Sequence, residues 1–132
     1  MIRRIQVRTR GHDDWVDITS QIQDVVREAG GPSEGVVTVF VPHTTAGITI
    51  QENADPPLRD DISSALDRIF PWKADWKHCE DNASSHMKAA VVGSSVQVIF
   101  SGGELLLGTW QDIFLCEFDG PRTREVIIKV SP

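Results

Sequence analysis

The chain has 132 residues, 40% hydrophobic and 24% charged, with 13 Lys+Arg against 19 Asp+Glu and a formal net charge of −6. That balance describes an ordinary globular domain able to bury a core; it excludes a disordered chain and a duplex nucleic-acid binder, which needs clustered cations. No apolar run approaches the roughly 20 residues that cross a bilayer, so no membrane partner is expected.

The opening MIRRIQVRTR carries charge without an apolar block, so no secretory leader is expected. Two cysteines, Cys79 and Cys116, make no disulfide framework, and a cytoplasmic location follows as the expectation.

Ile2, Ile5 and Val7 alternate weakly, and a polar turn from Gly11 to Asp14 precedes Trp15–Ile18, which predicts a hairpin-like pair of strands. Thr19 or Ser20 then caps a helix with Ile22, Val25, Val26 and Ala29 at i, i+3, i+4 and i+7, stopped by Gly30-Gly31-Pro32. A valine-rich strand follows over Gly35–Val41, and a shorter one over Ile48–Ile50. Asp55 before Pro56 starts a second helix, in which Leu58, Ile62, Ala65, Leu66 and Ile69 keep helical spacing.

An irregular stretch from Trp72 to Asp81 leads to Asn82, which caps a helix over Ala83–Val92 closed by Gly93. The last third reads as strands: Val96, Val98 and Phe100 alternate, Ser101-Gly102-Gly103 turns the chain, and Leu105–Leu107 returns it. Ile113–Phe118 and Glu125–Val130 follow, joined by the turn Asp119-Gly120-Pro121-Arg122. Seven or eight short strands with three helices predict one α+β domain over 1–132 with a β-sandwich-like core; no Gly-rich phosphate loop joins a strand to a helix.

Polar chemistry gathers around three histidines. His43 follows a strand and is trailed by Thr44 and Thr45; Glu52, Asn53 and Asp55 lie just beyond; His78 and Glu80 precede the third helix and His86 lies near its start. Imidazoles beside carboxylates can hold a borderline metal, exchange protons or bind phosphate, and an adjacent helix start favours an anion. Against this, Asp55 and Asn82 are explained by capping alone, and most glutamates are simply solvated. Trp110 in a turn is ordinarily core or interface, and Cys79 beside His78 is a weak metal signal on its own.

Three segments, VPHTTAGITIQENADPPLRDDI, HCEDNASSHMKAAVVGSS and GGELLLGTWQDIFLCEFDGPR, together resemble the YjbQ-like family, also called the secondary thiamine-phosphate synthase family. The resemblance implies a β-sandwich with helices on one side, assembled as a homotrimer with its shared polar residues in a pocket at the subunit interface. Carried over residue by residue, it covers His43, Thr44 and Thr45; Glu52, Asn53 and Asp55; His78, Glu80, Asn82, His86 and Lys88; and Gly108, Thr109, Trp110 and Gln111. The chain departs from the family pattern at Asp81 and Asp112, where Gly is usual, and at Ser85, where Ala is common. An Asp tolerates positive φ better than most residues at such a Gly position.

The implied activity joins hydroxymethylpyrimidine pyrophosphate to thiazole phosphate and releases pyrophosphate, chemistry that ordinarily uses a divalent metal, zinc or magnesium here. The expected polar centre is His43, His78 and His86 meeting in one cavity, as metal ligands or as acid/base groups and phosphate donors. Glu52 or Glu80 would orient an imidazole or activate water. Thr44, Thr45 and Gln111 would bond a small phosphorylated or anionic ligand, with Asn53, Asp55, Asn82, Lys88, Gly108, Thr109 and Trp110 completing its site. The competing readings are a non-catalytic homotrimer that holds a small anion or metal, and polar residues that only stitch subunits together.

Overall fold

Alternating apolar residues, rich in valine and isoleucine, build the strands of this protein, for which a computed structural model describes residues 1–29, 34–78 and 80–132. Among them the order is β1 (Ile2–Arg8), β2 (Asp14–Asp17), α1 (Thr19–Ala29), β3 (Glu34–Phe40), β4 (Ala46–Glu52), α2 (Pro56–Ile69) and α3 (Ala83–Val92). Then follow β5 (Ser95–Ser101), β6 (Glu104–Leu105), β7 (Gln111–Glu117) and β8 (Thr123–Ser131). The strands form two antiparallel sheets, β1-β8-β3-β5-β6 and β2-β7-β4, so the fold is the expected α+β arrangement of three helices and eight strands.

The inner faces of both sheets make one core. Val37, Val39, Val98, Phe100, Val126 and Ile128 of the larger sheet meet Ile48, Ile113 and Leu115 of the smaller one, and α1 adds Ile22, Val25 and Val26. Strand β7 is apolar at every position from Ile113 to Cys116 because it is buried on both faces. Phe114 and Cys116 face a second cluster with Phe118 and Ala89 of α3, against which Leu66 of α2 packs. The helices therefore do not share one side, as the resemblance implied: α1 feeds the inter-sheet core, while α2 and α3 cover the other face of the small sheet.

Other expectations also change. The predicted hairpin of β1 and β2 does not form, because β1 pairs with β8 and β2 with β7. Alternation sets which face a strand buries but says nothing about its partner. The start of α1 is held by Asp17, whose Oδ1 accepts from the backbone N–H (2.9 Å) and hydroxyl (2.6 Å) of Thr19; the Thr19 oxygen accepts from the Ile113 amide at 2.8 Å. Asp55 and Asn82 stand at the helix N-caps but make no side-chain capping bond. Strand β6 is Glu104–Leu105, so only Leu105 of the expected Leu105–Leu107 is in strand, and β4 extends well past Ile48–Ile50. The Gly30-Gly31-Pro32 stop and Cys79 lie outside the described residues.

Close packing of α3 on β4 positions the site. A Cβ on Gly47 would come within 2.7 Å of the Gly93 carbonyl oxygen and 3.0 Å of Val92, so only glycine lets the end of α3 approach this near.

Candidate functional site

The β3–β4 loop, the start of α3 and the β7–β8 turn meet over an open cleft of about 320 Å³, lined by His43, Thr44 and Thr45, by Glu80, Asn82 and His86, and by Asp119, Arg122 and Arg124. An adjoining hollow shares His43, Thr44 and His86. Thus His43 and His86 come together. His78 packs edge-on against His86, ring centroids 4.8 Å apart, but lines a neighbouring hollow with Trp72 and Trp76; its Nε2 lies 3.8 Å from Glu80 Oε2.

A buried ion pair supports the cleft floor. Glu117, fully buried, accepts bonds from Arg124 Nε at 2.7 Å, Arg124 Nη2, the Thr9 hydroxyl at 2.8 Å and the Asp119 amide at 3.0 Å. Burial alone would raise the Glu117 pKa; these donors, Arg124 foremost, outweigh it and hold the carboxyl below the usual glutamate value. Arg124 reaches on to the Thr45 carbonyl oxygen at 3.2 Å and hydroxyl oxygen at 2.8 Å, pinning the loop behind His43.

His43 is locked in one tautomer. The Glu125 backbone N–H donates to its Nε2 at 2.9 Å, so that nitrogen keeps its lone pair and the neutral ring carries its proton on Nδ1. Burial first, and the nearby Arg124 charge second, push the His43 pKa below the usual histidine value. The residue is therefore a neutral Nδ1–H donor at neutral pH, and the lone pair a metal would need is already engaged.

Asp119 orients the next group. Its Oδ2 accepts from Asn82 Nδ2 at 2.9 Å and from Arg122 Nη2 at 3.0 Å. A carboxylate only accepts, so the Asn82 amide must present its NH₂ to Asp119, which leaves Oδ1 as the free end. Asn82 Oδ1 and His86 Nε2 are both buried, and neither has a hydrogen-bond partner among the described residues. Asp81, beside them, adopts φ 58°, the left-handed conformation that Asp accepts more readily than most residues.

Several expected site residues lie elsewhere. Lys88 Nζ is buried between Asp67 Oδ1 (2.5 Å) and Asp13 Oδ2 (3.0 Å), tying α3 to α2 and the β1–β2 loop rather than facing the cleft. Burial would lower its pKa, but the two aspartates raise it overall. Glu52 pairs with Gln111 at the far end of β4, six residues or about 20 Å from Ala46 at the cleft end. Gln111 Oε1 accepts from the Gly108 amide at 2.9 Å, closing the Gly108–Gln111 turn on itself, with Thr109 and Trp110 exposed on it. Asn53 Nδ2 donates to Asp17 Oδ2 at 3.0 Å, and Asp55 is exposed at the start of α2. Ser85 donates from its hydroxyl to the Phe118 carbonyl oxygen at 2.6 Å, a structural bond inside the helix packing.

Among the described residues no three His, Cys, Asp or Glu side chains stand together closely enough to hold one metal ion. Protein zinc sites take three or four such ligands, so the expected set of His43, His78 and His86 is not assembled within one chain. The residues that sequence reasoning missed are Glu117, Asp119, Arg122 and Arg124. A signal existed for Arg124: it sits in register with Val126, Ile128 and Val130, which puts a guanidinium on the inward face of a strand.

The model of the UPF0047 protein YjbQ-like family matches residues 3–132. The chain is 45% identical over 131 residues to the UPF0047 protein YugU of Bacillus subtilis, covering 98% of both chains. It is 43% identical over 130 residues to the UPF0047 protein MJ1081 of Methanocaldococcus jannaschii, covering 98% of this chain and 94% of that one. A crystal structure of an uncharacterised yjbq/upf0047 family protein from Clostridium acetobutylicum superposes with a TM-score of 0.95 at 48% identity, over 98% of this chain and 99% of that one. A YbjQ-like protein of unknown function from Sulfolobus solfataricus gives a TM-score of 0.93 at 34% identity, over 98% and 95%. With its strands, helices and cleft all carried by a match of this extent, the chain belongs to the UPF0047 family of YjbQ-like proteins.

Proposed function

We propose that the cleft binds the phosphate end of a small phosphorylated molecule, and that the chemistry is thiamine-phosphate synthase-like: hydroxymethylpyrimidine pyrophosphate joined to thiazole phosphate with release of pyrophosphate. The observation that carries this reading is one open cleft holding His43, the Arg122 guanidinium and, at the N-cap and first turn of α3, the buried Asn82 Oδ1 and His86 Nε2, neither with a partner among the described residues. A buried polar group left unpaired costs about 1–3 kcal/mol, so His86 Nε2 favours a ligand oxygen that accepts from it, and Asn82 Oδ1, itself an acceptor, favours a hydroxyl or amino donor on the same ligand. Arg122 spends Nε on the Asp119 carbonyl oxygen and Nη2 on its carboxylate, which leaves Nη1 free for a phosphoryl oxygen. His43 and the threonine hydroxyls add neutral donors.

Calorimetric titration with inorganic pyrophosphate tests the reading. The wild-type protein binds it, and Arg122→Ala and His86→Ala each weaken binding about tenfold, the loss of one charge-assisted hydrogen bond. Unchanged affinity in both variants refutes it. The same buried Asn82 Oδ1 and His86 Nε2, without partners among the described residues, equally support a second reading, a non-catalytic homotrimer that holds a small anion or metal; formation of thiamine phosphate from both substrates separates the two.

The proposed assembly is a head-to-tail homotrimer. Ile2, Phe40 and Ile99 are exposed on the outer face of the larger sheet, apolar side chains that a second copy would cover. Sedimentation of the wild type at three times the chain mass, dispersed by Ile99→Asp, is the expected result; a wild-type monomer at micromolar concentration would overturn it.

A further inference from the structure

The orientation of one amide decides what kind of oxyanion the cleft accepts. Asp119 Oδ2 takes Asn82 Nδ2 at 2.9 Å and Arg122 Nη2 at 3.0 Å, and a carboxylate oxygen has no hydrogen to offer in return. The Asn82 side chain is thereby fixed one way round, its oxygen pointing away from Asp119. That oxygen is buried and has no partner among the described residues.

The turn that carries Asp119 cannot yield. The Asp119 amide donates to Glu117 Oε2 at 3.0 Å, its carbonyl oxygen accepts from Arg122 Nε at 2.6 Å, and its side chain is only 16% exposed. Next to it the Gly120 amide donates to the His12 carbonyl oxygen at 3.0 Å, while His12 Nε2 lies 3.7 Å from Asp119 Oδ1. A Cβ on Gly120 would fall 2.4 Å from the Gly11 carbonyl oxygen and 2.7 Å from Glu117 Cγ, so only glycine fits there.

The cleft is therefore not lined by donors alone. Arg122 and the Thr44 hydroxyl can meet anionic oxygens, whereas the Asn82 oxygen and the Glu80 carboxylate on the same cleft can only accept. An oxyanion without hydrogen sets lone pair against lone pair at Asn82, and burial keeps bulk water from repairing the mismatch. Hydrogen phosphate can donate its P–O–H to that oxygen; sulfate, of the same shape and charge, cannot.

We propose that Asn82, held by Asp119, is the specificity-determining residue of the cleft, requiring the bound oxyanion to bring its own hydroxyl hydrogen. Hydrogen phosphate and hydrogen pyrophosphate satisfy it, and a tetrahedral dianion without hydrogen does not. The inference rests on the phosphate reading of the cleft and adds which competing anions it rejects.

Displacement of inorganic pyrophosphate from the intact protein, followed calorimetrically at pH 8 and constant ionic strength, compares phosphate, sulfate and fluorophosphate. All three are dianions there, and only phosphate keeps a hydrogen. Phosphate is expected to act at about one tenth the concentration of the other two, or less, the effect of one hydrogen bond exchanged for one repulsion. Asn82→Ala deletes the acceptor, and Asp119→Ala frees the amide to present its NH₂; each is expected to bring the three anions within about twofold. Asp119→Asn removes the charge but keeps an oxygen for both Nδ2 and Nη2, and is expected to retain most of the preference. A merely structural role for either residue would weaken all three anions alike.

Phosphate that displaces pyrophosphate no better than sulfate or fluorophosphate overturns the selection and leaves the phosphate reading standing. A preference that survives either alanine variant overturns it too, as does one lost in Asp119→Asn, which would trace it to charge. Pyrophosphate that does not bind at all sinks the phosphate reading, and the selection falls with it.

Discussion

Replacing Glu117 by leucine removes the acceptor of four hydrogen bonds at once: two from Arg124, one from the Thr9 hydroxyl and one from the Asp119 amide. Arg124, with a side chain only 5% exposed, is left as a buried cation without its counterion, at a cost of about 3–5 kcal/mol. Arg124→Met alone strands the carboxylate and costs a similar amount. The double variant strands neither charge. Thr9 still donates to the Arg122 carbonyl oxygen at 3.0 Å, and Thr45 O still accepts from the Phe118 amide, so mainly the Asp119 N–H is orphaned, a loss of about 1–3 kcal/mol. The cycle should therefore close with a coupling of at least about 3 kcal/mol.

Urea denaturation at pH 7 and fixed protein concentration, followed by far-UV circular dichroism, measures all four proteins. Because the folded-state pKa of Glu117 is depressed, its contribution is fully present above the ordinary glutamate value and is lost as pH falls through the folded value. The gap between wild type and Glu117→Leu should narrow accordingly in acid. A double variant that loses as much as the two singles combined would refute the view that the pair acts as a unit.

His43 gives the opposite group the same sense of pH dependence. Its pKa is depressed in the fold, so stability relative to His43→Asn should rise with pH toward the ordinary histidine value of about 6.5 and level off above it; a difference that stays flat across that range contradicts the buried neutral ring. Nitrogen-detected NMR should also find the neutral ring protonated on Nδ1, and the other tautomer would remove the Glu125 bond from the argument. Lys88→Met should leave pyrophosphate affinity within twofold while lowering stability by about 1–3 kcal/mol, because its ammonium serves Asp13 and Asp67; a tenfold loss of affinity with unchanged stability would place Nζ in the cleft after all.

Local spacing in the sequence was enough for the elements themselves. The i, i+3, i+4, i+7 stripe of Ile22, Val25, Val26 and Ala29 marks α1, Pro56 after Asp55 marks the start of α2, and Asn82 and Gly93 bracket α3. Such signals are written in neighbouring residues, because helix dihedrals and apolar faces repeat over a few positions. The histidine motif was legible too, since His43, Asn82 and His86 stand on loop and helix starts where polar side chains are free to face a cleft.

Tertiary structure alone decided the pairing and the roles. β1 and β2 look like a hairpin but join different sheets, because strand partnership depends on which distant strand covers which face. Lys88 reads as a phosphate donor until Asp13 and Asp67, 75 and 21 residues away, are seen to occupy its ammonium. His43 reads as a metal ligand until the Glu125 amide claims its lone pair. Arg124 reads as an ordinary strand residue until register turns it inward onto Glu117. Hydrogen bonding and charge pairing act over a few ångströms of space, and only the fold converts separation along the chain into that distance.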